Sequence, residues 1–166
     1  MYYIKNFFVY SIIGFLLETI AAYILGSNFS SGILYGFWTP IYGIGAVLVL
    51  LLSKYLFLEL HMPRFIETII CFFAITGILT FLEWLSGITI EIIFGITFWD
   101  YSTHKYHLGK YVSPIMSIVW GLSSIIFIYF VKPTTDKLIR KIPNWTILPV
   151  SIIFISDIIF TLITKT

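Results

Sequence analysis

Residues 111–131, "YVSPIMSIVWGLSSIIFIYFV", contain no charged side chain. A hydrocarbon core about 30 Å thick takes about 20 apolar residues in a helix, and this stretch is long enough to cross one. Backbone polar groups in lipid must be bonded within the segment, so an uncharged run of this length predicts a membrane-spanning helix. Ser113-Pro114 marks its start. A hydroxyl residue is expected to cap the first turn, where proline fits because its missing N–H would be unpaired anyway. Thr39-Pro40 repeats the arrangement at a second helix start.

Four further stretches qualify on either side: 4–26, 39–58, 65–93 and 145–164. The predicted fold class is therefore all-α, a polytopic transmembrane helical bundle of about five spans, with 1–166 as a single transmembrane domain. Composition agrees. The 166 residues are 59% hydrophobic and 11% charged, with mean hydropathy +0.99, whereas soluble domains carry about 25% charged residues. A soluble fold this small has too much surface for so few charges. A net charge of +2 is too small to point to nucleic acid. Cys71 is the one cysteine, which excludes an intrachain disulfide and a Cys-based zinc cluster. The first stretch is read as a span, not a cleavable signal, because it is long, holds Glu18 and lacks a small-x-small site.

The basic residues predict the orientation. With the N-terminus inside, Lys5, Lys54, Arg64, Lys132, Lys137, Arg140 and Lys141 are internal, and Lys105, Lys110 and Lys165 external, seven against three. Positive residues concentrate on the inner face, which gives N-in/C-out. "KPTTDKLIRK" (132–141) is then an inner basic anchor.

An internal repeat is visible. "GFLLE" (14–18) and "GITIE" (87–91) share a Gly-x-x-x-Glu spacing, and "TPI" (39–41) and "SPI" (113–115) follow them at similar distances. Both hairpins run the same way, which suggests a parallel two-hairpin repeat plus one extra helix. If Glu91 is the partner of Glu18, the third span is either long and tilted or broken near Ser86-Gly87.

Charged groups inside spans carry the chemistry. A carboxylate at a helix centre costs about 2.5–3.5 kcal/mol on insertion scales, so it faces a cavity or a partner. Glu18, Glu83 and Asp157 fall between the midplane and the outer boundary, with Glu91 and Asp100 further out. Glu83, Gly87 and Glu91 share one helix face. Two readings stand. The acids are protonated or hydrogen-bonded and hold helices together, or Glu18, Glu83 and Glu91 line one outward cavity that binds an ion, a proton or a small cationic solute. Asp157 could instead face a partner subunit.

The polar island "TFWDYSTHKYHLGKYVSP" (97–114) supplies the expected mouth, with Asp100, Tyr101 and Lys110 at its rim and Tyr42 opposite. His104 and His107 are read as loop residues rather than metal ligands, because two His and an acid make a thin ligand set. His61 is read as interfacial. The uncharged loop 26–43 either re-enters the membrane or forms an aromatic belt through Tyr35, Phe37 and Trp38. No P-loop, H-E-x-x-H or G-x-S-x-G motif is present, so no nucleotide, metal or other cofactor site and no hydrolase is predicted.

The order of "YSIIGFLLE" (10–18), "GFWTPIYGIG" (36–45), "EWLSGITIE" (83–91), "WDYS" (99–102), "LGK" (108–110) and "WG" (120–121) resembles the CmpB-type family of bacterial integral membrane proteins, labelled ABC-transporter permeases. The resemblance covers about Tyr10 to Pro133. In the family pattern a Pro and a Cys usually stand where this chain has Phe37 and Thr39, and an Arg where it has Lys110. The Cys difference argues against obligatory thiol chemistry there. The resemblance implies a multi-pass protein of the bacterial plasma membrane in a transport system, with the lipid bilayer and a separate ATPase or other membrane subunit as partners. Five spans are few for a pore, so an oligomer is expected. The alternatives are a membrane scaffold or assembly subunit, and a membrane-embedded enzyme acting on a lipid or isoprenoid, with Glu83 or Glu91 as acid or base and Lys110 holding a headgroup.

Overall fold

A computed structural model describes residues 1–24, 32–59 and 62–166. His61 and the first part of the 26–43 loop, through residue 31, lie outside the described residues. The elements are α1 (Tyr2–Ile24), α2 (Pro40–Glu59), α3 (Arg64–Phe94), α4 (Pro114–Ile126), a π-helical turn (Phe127–Val131), α5 (Lys132–Ile139), a 3-10 turn (Asn144–Thr146) and α6 (Ile147–Lys165). The predicted spans thus appear as helices. Four are long and apolar enough to cross a membrane: Tyr2–Ile24, Arg64–Phe94, Pro114–Ile139 and Asn144–Lys165; Pro40–Leu56 is a shorter apolar helix. Large apolar side chains such as Tyr23, Ile92 and Ile163 are fully displayed on their outer faces. That suits helices whose surroundings are acyl chains rather than water.

Local chemistry explains the boundaries. α3 is unbroken at Ser86-Gly87 over its 31 residues, about 46 Å at 1.5 Å per residue. It ends where Gly95 turns left-handed at φ 65° and donates its N–H to the Glu91 carbonyl, a conformation glycine adopts without steric cost. At α4, Pro114 occupies the first turn as expected, but the Ser113 hydroxyl makes no cap bond. Its carbonyl does the work, accepting from Ser117 N–H at 2.9 Å and Ser117 Oγ at 3.1 Å. Residues 132–139, expected as part of a linker, continue the helix. Pro133 has no N–H and its ring would crowd the carbonyl four residues back. The π-turn accommodates this, with Lys132 N–H donating to the Phe127 carbonyl five residues back.

The chain forms two compact units. The first comprises Met1–Val47 and Thr135–Thr166, and the second Leu48–Thr134. In the first, Phe154 of α6 meets Phe7, Phe8 and Trp38 edge-on at 5.4–5.6 Å. Tyr2 donates to Asp136, Lys5 to the Ile142 carbonyl, and Tyr10 shares a hydrogen bond with Thr135. A β-carbon at Gly43 would overlap Ser11 Oγ and the Phe7 carbonyl, so glycine lets α2 lie directly against α1. In the second unit Val49, Cys71, Ile75 and Ile128 form the buried core. α4 crosses α3 closely at Gly121, where a β-carbon would overlap Thr76 Oγ1 and the Phe72 ring.

Candidate functional site

Each unit carries the same device on a helix face. In the first, the Tyr42 side chain lies against Gly14, where a β-carbon would overlap it, and Tyr42 OH donates to Glu18 Oε1 at 2.6 Å. In the second, the Tyr111 ring lies on Gly87 and its hydroxyl donates to Glu91 Oε2. Gly and Glu sit one turn apart on one face, so the glycine makes room for the ring and the acid receives its hydroxyl. This is what the Gly-x-x-x-Glu spacing is for in both hairpins. The tyrosines come from different places, Tyr42 just inside α2 and Tyr111 just before α4.

The described residues of both connecting segments, 32–39 and 97–113, lie back along their helix. Thr39 N–H donates to the Ser11 carbonyl at 3.0 Å, and Ser11 lies thirteen residues before the end of α1, about 20 Å along it. Tyr101 OH donates to Glu83 Oε1 at 2.9 Å, eleven residues before Phe94, about 16 Å along α3. The segment 97–113 is pinned by Tyr101 N–H to the Lys110 carbonyl at 2.8 Å and by Leu108 N–H to the Val112 carbonyl at 2.9 Å. Gly109 at φ 66° makes the tight turn between the latter pair.

The acids differ in how their charge is met. Glu91 Oε1 accepts from Lys110 Nζ at 2.5 Å. That bond raises the Lys110 pKa above the ordinary ammonium value, against the opposing effect of desolvation. Glu83 is 5% exposed. Its Oε1 takes the Tyr101 hydroxyl, the Trp120 indole lies near the same carboxyl, and Oε2 has no hydrogen-bond partner among the described residues. Burial, and then the Glu83 bond, pushes the Tyr101 phenol well above its usual range. A buried acceptor left unmet costs about 1–3 kcal/mol.

Residues 5–165 match a family described as "Putative ABC-transporter type IV". The chain belongs to this family. It is accordingly a membrane protein of an ABC-transporter-type family. Among curated proteins and among solved structures, nothing matches the chain.

Within this ABC-transporter-type chain the predicted site residues separate into groups. Glu91 and Lys110 meet, Glu83 and Tyr101 meet, and Glu18 and Tyr42 meet in the other unit. Asp100 stands apart and exposed, accepting from Ser102 N–H at 2.8 Å in a local turn. The Ser102 bonds lower its pKa. The His104 ring lies tilted at 50° against Tyr101 with centroids 5.2 Å apart, and His107 Nδ1 bonds the Gly109 carbonyl. Among the described residues no group of three His, Cys, Asp or Glu is placed to hold a metal.

Asp157 has its partners within its own unit. Its carboxylate accepts from Tyr35 N–H (3.0 Å), Gly36 N–H (2.8 Å), Trp38 Nε1 (2.6 Å) and Thr161 Oγ1 (3.3 Å). Lys165 adds a bond to the Ile33 carbonyl at 2.7 Å. Asp157 therefore fixes the 33–38 segment against α6.

Two residues escaped the sequence reading. Tyr111 directly follows Lys110, but nothing in one sequence says its ring covers Gly87. Glu67 is 5% exposed in the first turn of α3. Glu67 stands 24 residues before Glu91, about 240° round the helix from it, so the four-residue spacing gave no signal for it.

Proposed function

We propose that this protein is a permease-type subunit of the bacterial plasma membrane that binds a proton or a small cation at carboxylates on its outward side. The observation that carries the reading is Glu83. It is buried, bonded by a neutral tyrosine and a nearby indole, and faces no cation among the described residues, whereas Glu91 eight residues on is neutralised by Lys110. A buried carboxylate without a countercharge takes up a proton or a cation in a low-dielectric setting. Tyr101 and Lys110 belong to the segment that covers this acid, and Asp100 to its exposed rim. Glu18 with Tyr42 is the corresponding acid of the first unit, and the reading is stated for each unit separately.

Family membership supports a transport setting with a separate ATPase or other membrane subunit, and the small number of spans supports an oligomer. The lipid-enzyme alternative loses its headgroup anchor, because the Lys110 ammonium is engaged by Glu91. Flux of protons and monovalent cations into sealed vesicles tests the proposal. Glu83→Gln should abolish ion-dependent flux, while unchanged flux would remove the carboxylate from the mechanism.

A further inference from the structure

The second unit holds several buried polar atoms without hydrogen bonds among the described residues. Thr76 Oγ1, Thr80 Oγ1, Glu83 Oε2, Trp99 Nε1 and Ser113 Oγ are buried and make no hydrogen bond within the described residues. Glu83 is 5% exposed and Ser113 not at all. Thr76, Thr80 and Glu83 follow one another on α3 at spacings of four and three, hence along one face. The row is bounded by two close approaches: Gly121 against Thr76 and Phe72 at one end, and Gly87 beneath Tyr111 at the other. Ser113 opens α4, and the Trp99 ring stands edge-on to Tyr111 at 6.1 Å.

The chemistry of the set selects its occupant. A metal cation could use the carboxylate and hydroxyl oxygens, but an indole N–H has no lone pair to offer and needs an acceptor. An anion would suit the indole and meet repulsion at Glu83. Water donates and accepts, and satisfies all three kinds of group. Hydroxyls spaced one turn apart are also suited to passing protons between such waters.

We infer that the Thr76–Thr80–Glu83 face of α3 is a hydrated seam and that Glu83 is its exchangeable proton site. The ion of the preceding section is then the proton, and the inference rests on that reading. The groups that face Glu83 are Tyr101 from the covering segment and Trp120 from α4. The Glu91–Lys110 pair lies two turns along α3, and α4 itself has no charged residue. Cys71 and Ile75, packed with Val49 and Ile128, close the seam at the end towards Glu67. Proton exchange therefore runs through the Tyr101 side.

Infrared difference spectra of the purified protein, recorded across a pH step in H₂O and D₂O, test this. A deuterium-sensitive carboxylic acid band should appear as pH falls, vanish in Glu83→Gln, shift in Glu83→Asp and persist in Glu91→Gln. Thr80→Val should keep the band and slow its deuterium exchange about tenfold by removing one relay hydroxyl. Circular dichroism checks that each variant is folded. A band that survives Glu83→Gln overturns the assignment, and so does exchange that Thr80→Val leaves unchanged. Loss of the band on adding sodium at constant pH would make the occupant a metal cation. If the band behaves as expected but vesicle flux does not depend on Glu83, the transport reading fails and the proton site stands. If flux depends on Glu83 and sodium erases the band, the reverse holds.

Discussion

Glycine does opposite things at two positions of α3, and the difference can be measured. At Gly87 a β-carbon would overlap the Tyr111 ring, whereas at Gly77 it would meet nothing within 4 Å. Gly87→Ala should therefore destabilise by about 1–3 kcal/mol, the usual cost of overpacking, with Gly14→Ala behaving alike beneath Tyr42. Gly77→Ala should stabilise by about 0.5–1 kcal/mol through helix propensity alone. Thermal unfolding in one detergent checks all three. Lys110 gives a pH prediction at the same scale. Its folded pKa is raised by the Glu91 bond, so its contribution is fully present below the unfolded value of about 10.4 and is lost as pH rises through the higher folded value. The difference in melting temperature between wild type and Lys110→Met should be flat from neutral pH to about pH 10 and close above it. A difference that closed near neutrality would refute the assignment. Lys110→Arg keeps the charge to far higher pH, so its difference from Lys110→Met should stay open above pH 10. At this scale the sequence showed that Gly87 invites a neighbour. It did not show which neighbour, because the partner tyrosines occupy different positions relative to the two prolines.

The helices were legible as elements because lipid imposes length and apolarity on each, and all the predicted stretches but 111–131 coincide with a helix to within a few residues. The extension of α4 into α5 was not, since "KPTTDKLIRK" reads as a basic linker until the π-turn is seen to absorb Pro133. The two connectors were equally opaque. Neither 32–39 nor 97–113 has a periodicity, and their folding back depends on glycines and carboxylates that are distant in sequence. Asp157 is the clearest case, a lone acid in an apolar helix whose donors lie about 120 residues away. Because those donors include two backbone N–H groups and an indole, Asp157→Asn would turn an amide NH₂ or a weaker neutral acceptor towards them. We expect a loss of about 2 kcal/mol, the scale of hydrogen bonds to a charged group. Faster hydrogen exchange at Tyr35 and Gly36 should accompany it, with Tyr101 and Lys110 unaffected. Uniform loss of protection across the chain would instead mean that Asp157 supports the whole fold.

Across the whole molecule, the repeat seen as Gly-x-x-x-Glu becomes two units that each cover an acid with a tyrosine ring. The charges predict what faces which side of the membrane. Lys132, Lys137, Arg140 and Lys141 cluster around α5 and the turn after it, and Lys105 and Lys110 lie in the segment that covers Glu83 and Glu91. Counted with the N-terminus inside, seven basic residues against three predict that this segment is outside, and the proposed proton site of Glu83 would then load from the exterior. This can be tested without disturbing either unit. Cys71 is fully buried in an apolar cluster and the only cysteine, so Cys71→Ala, which buries no new polar group, provides a thiol-free background. Single cysteines at Lys105 and Lys137, both exposed, then report their side to a membrane-impermeant maleimide in intact cells. Labelling of the first and protection of the second until the cells are broken is the expected result. The inverse pattern would turn the carboxylates inward, put Glu83 in reach of cytoplasmic protons, and bring the 97–113 segment to the side where an ATPase would dock.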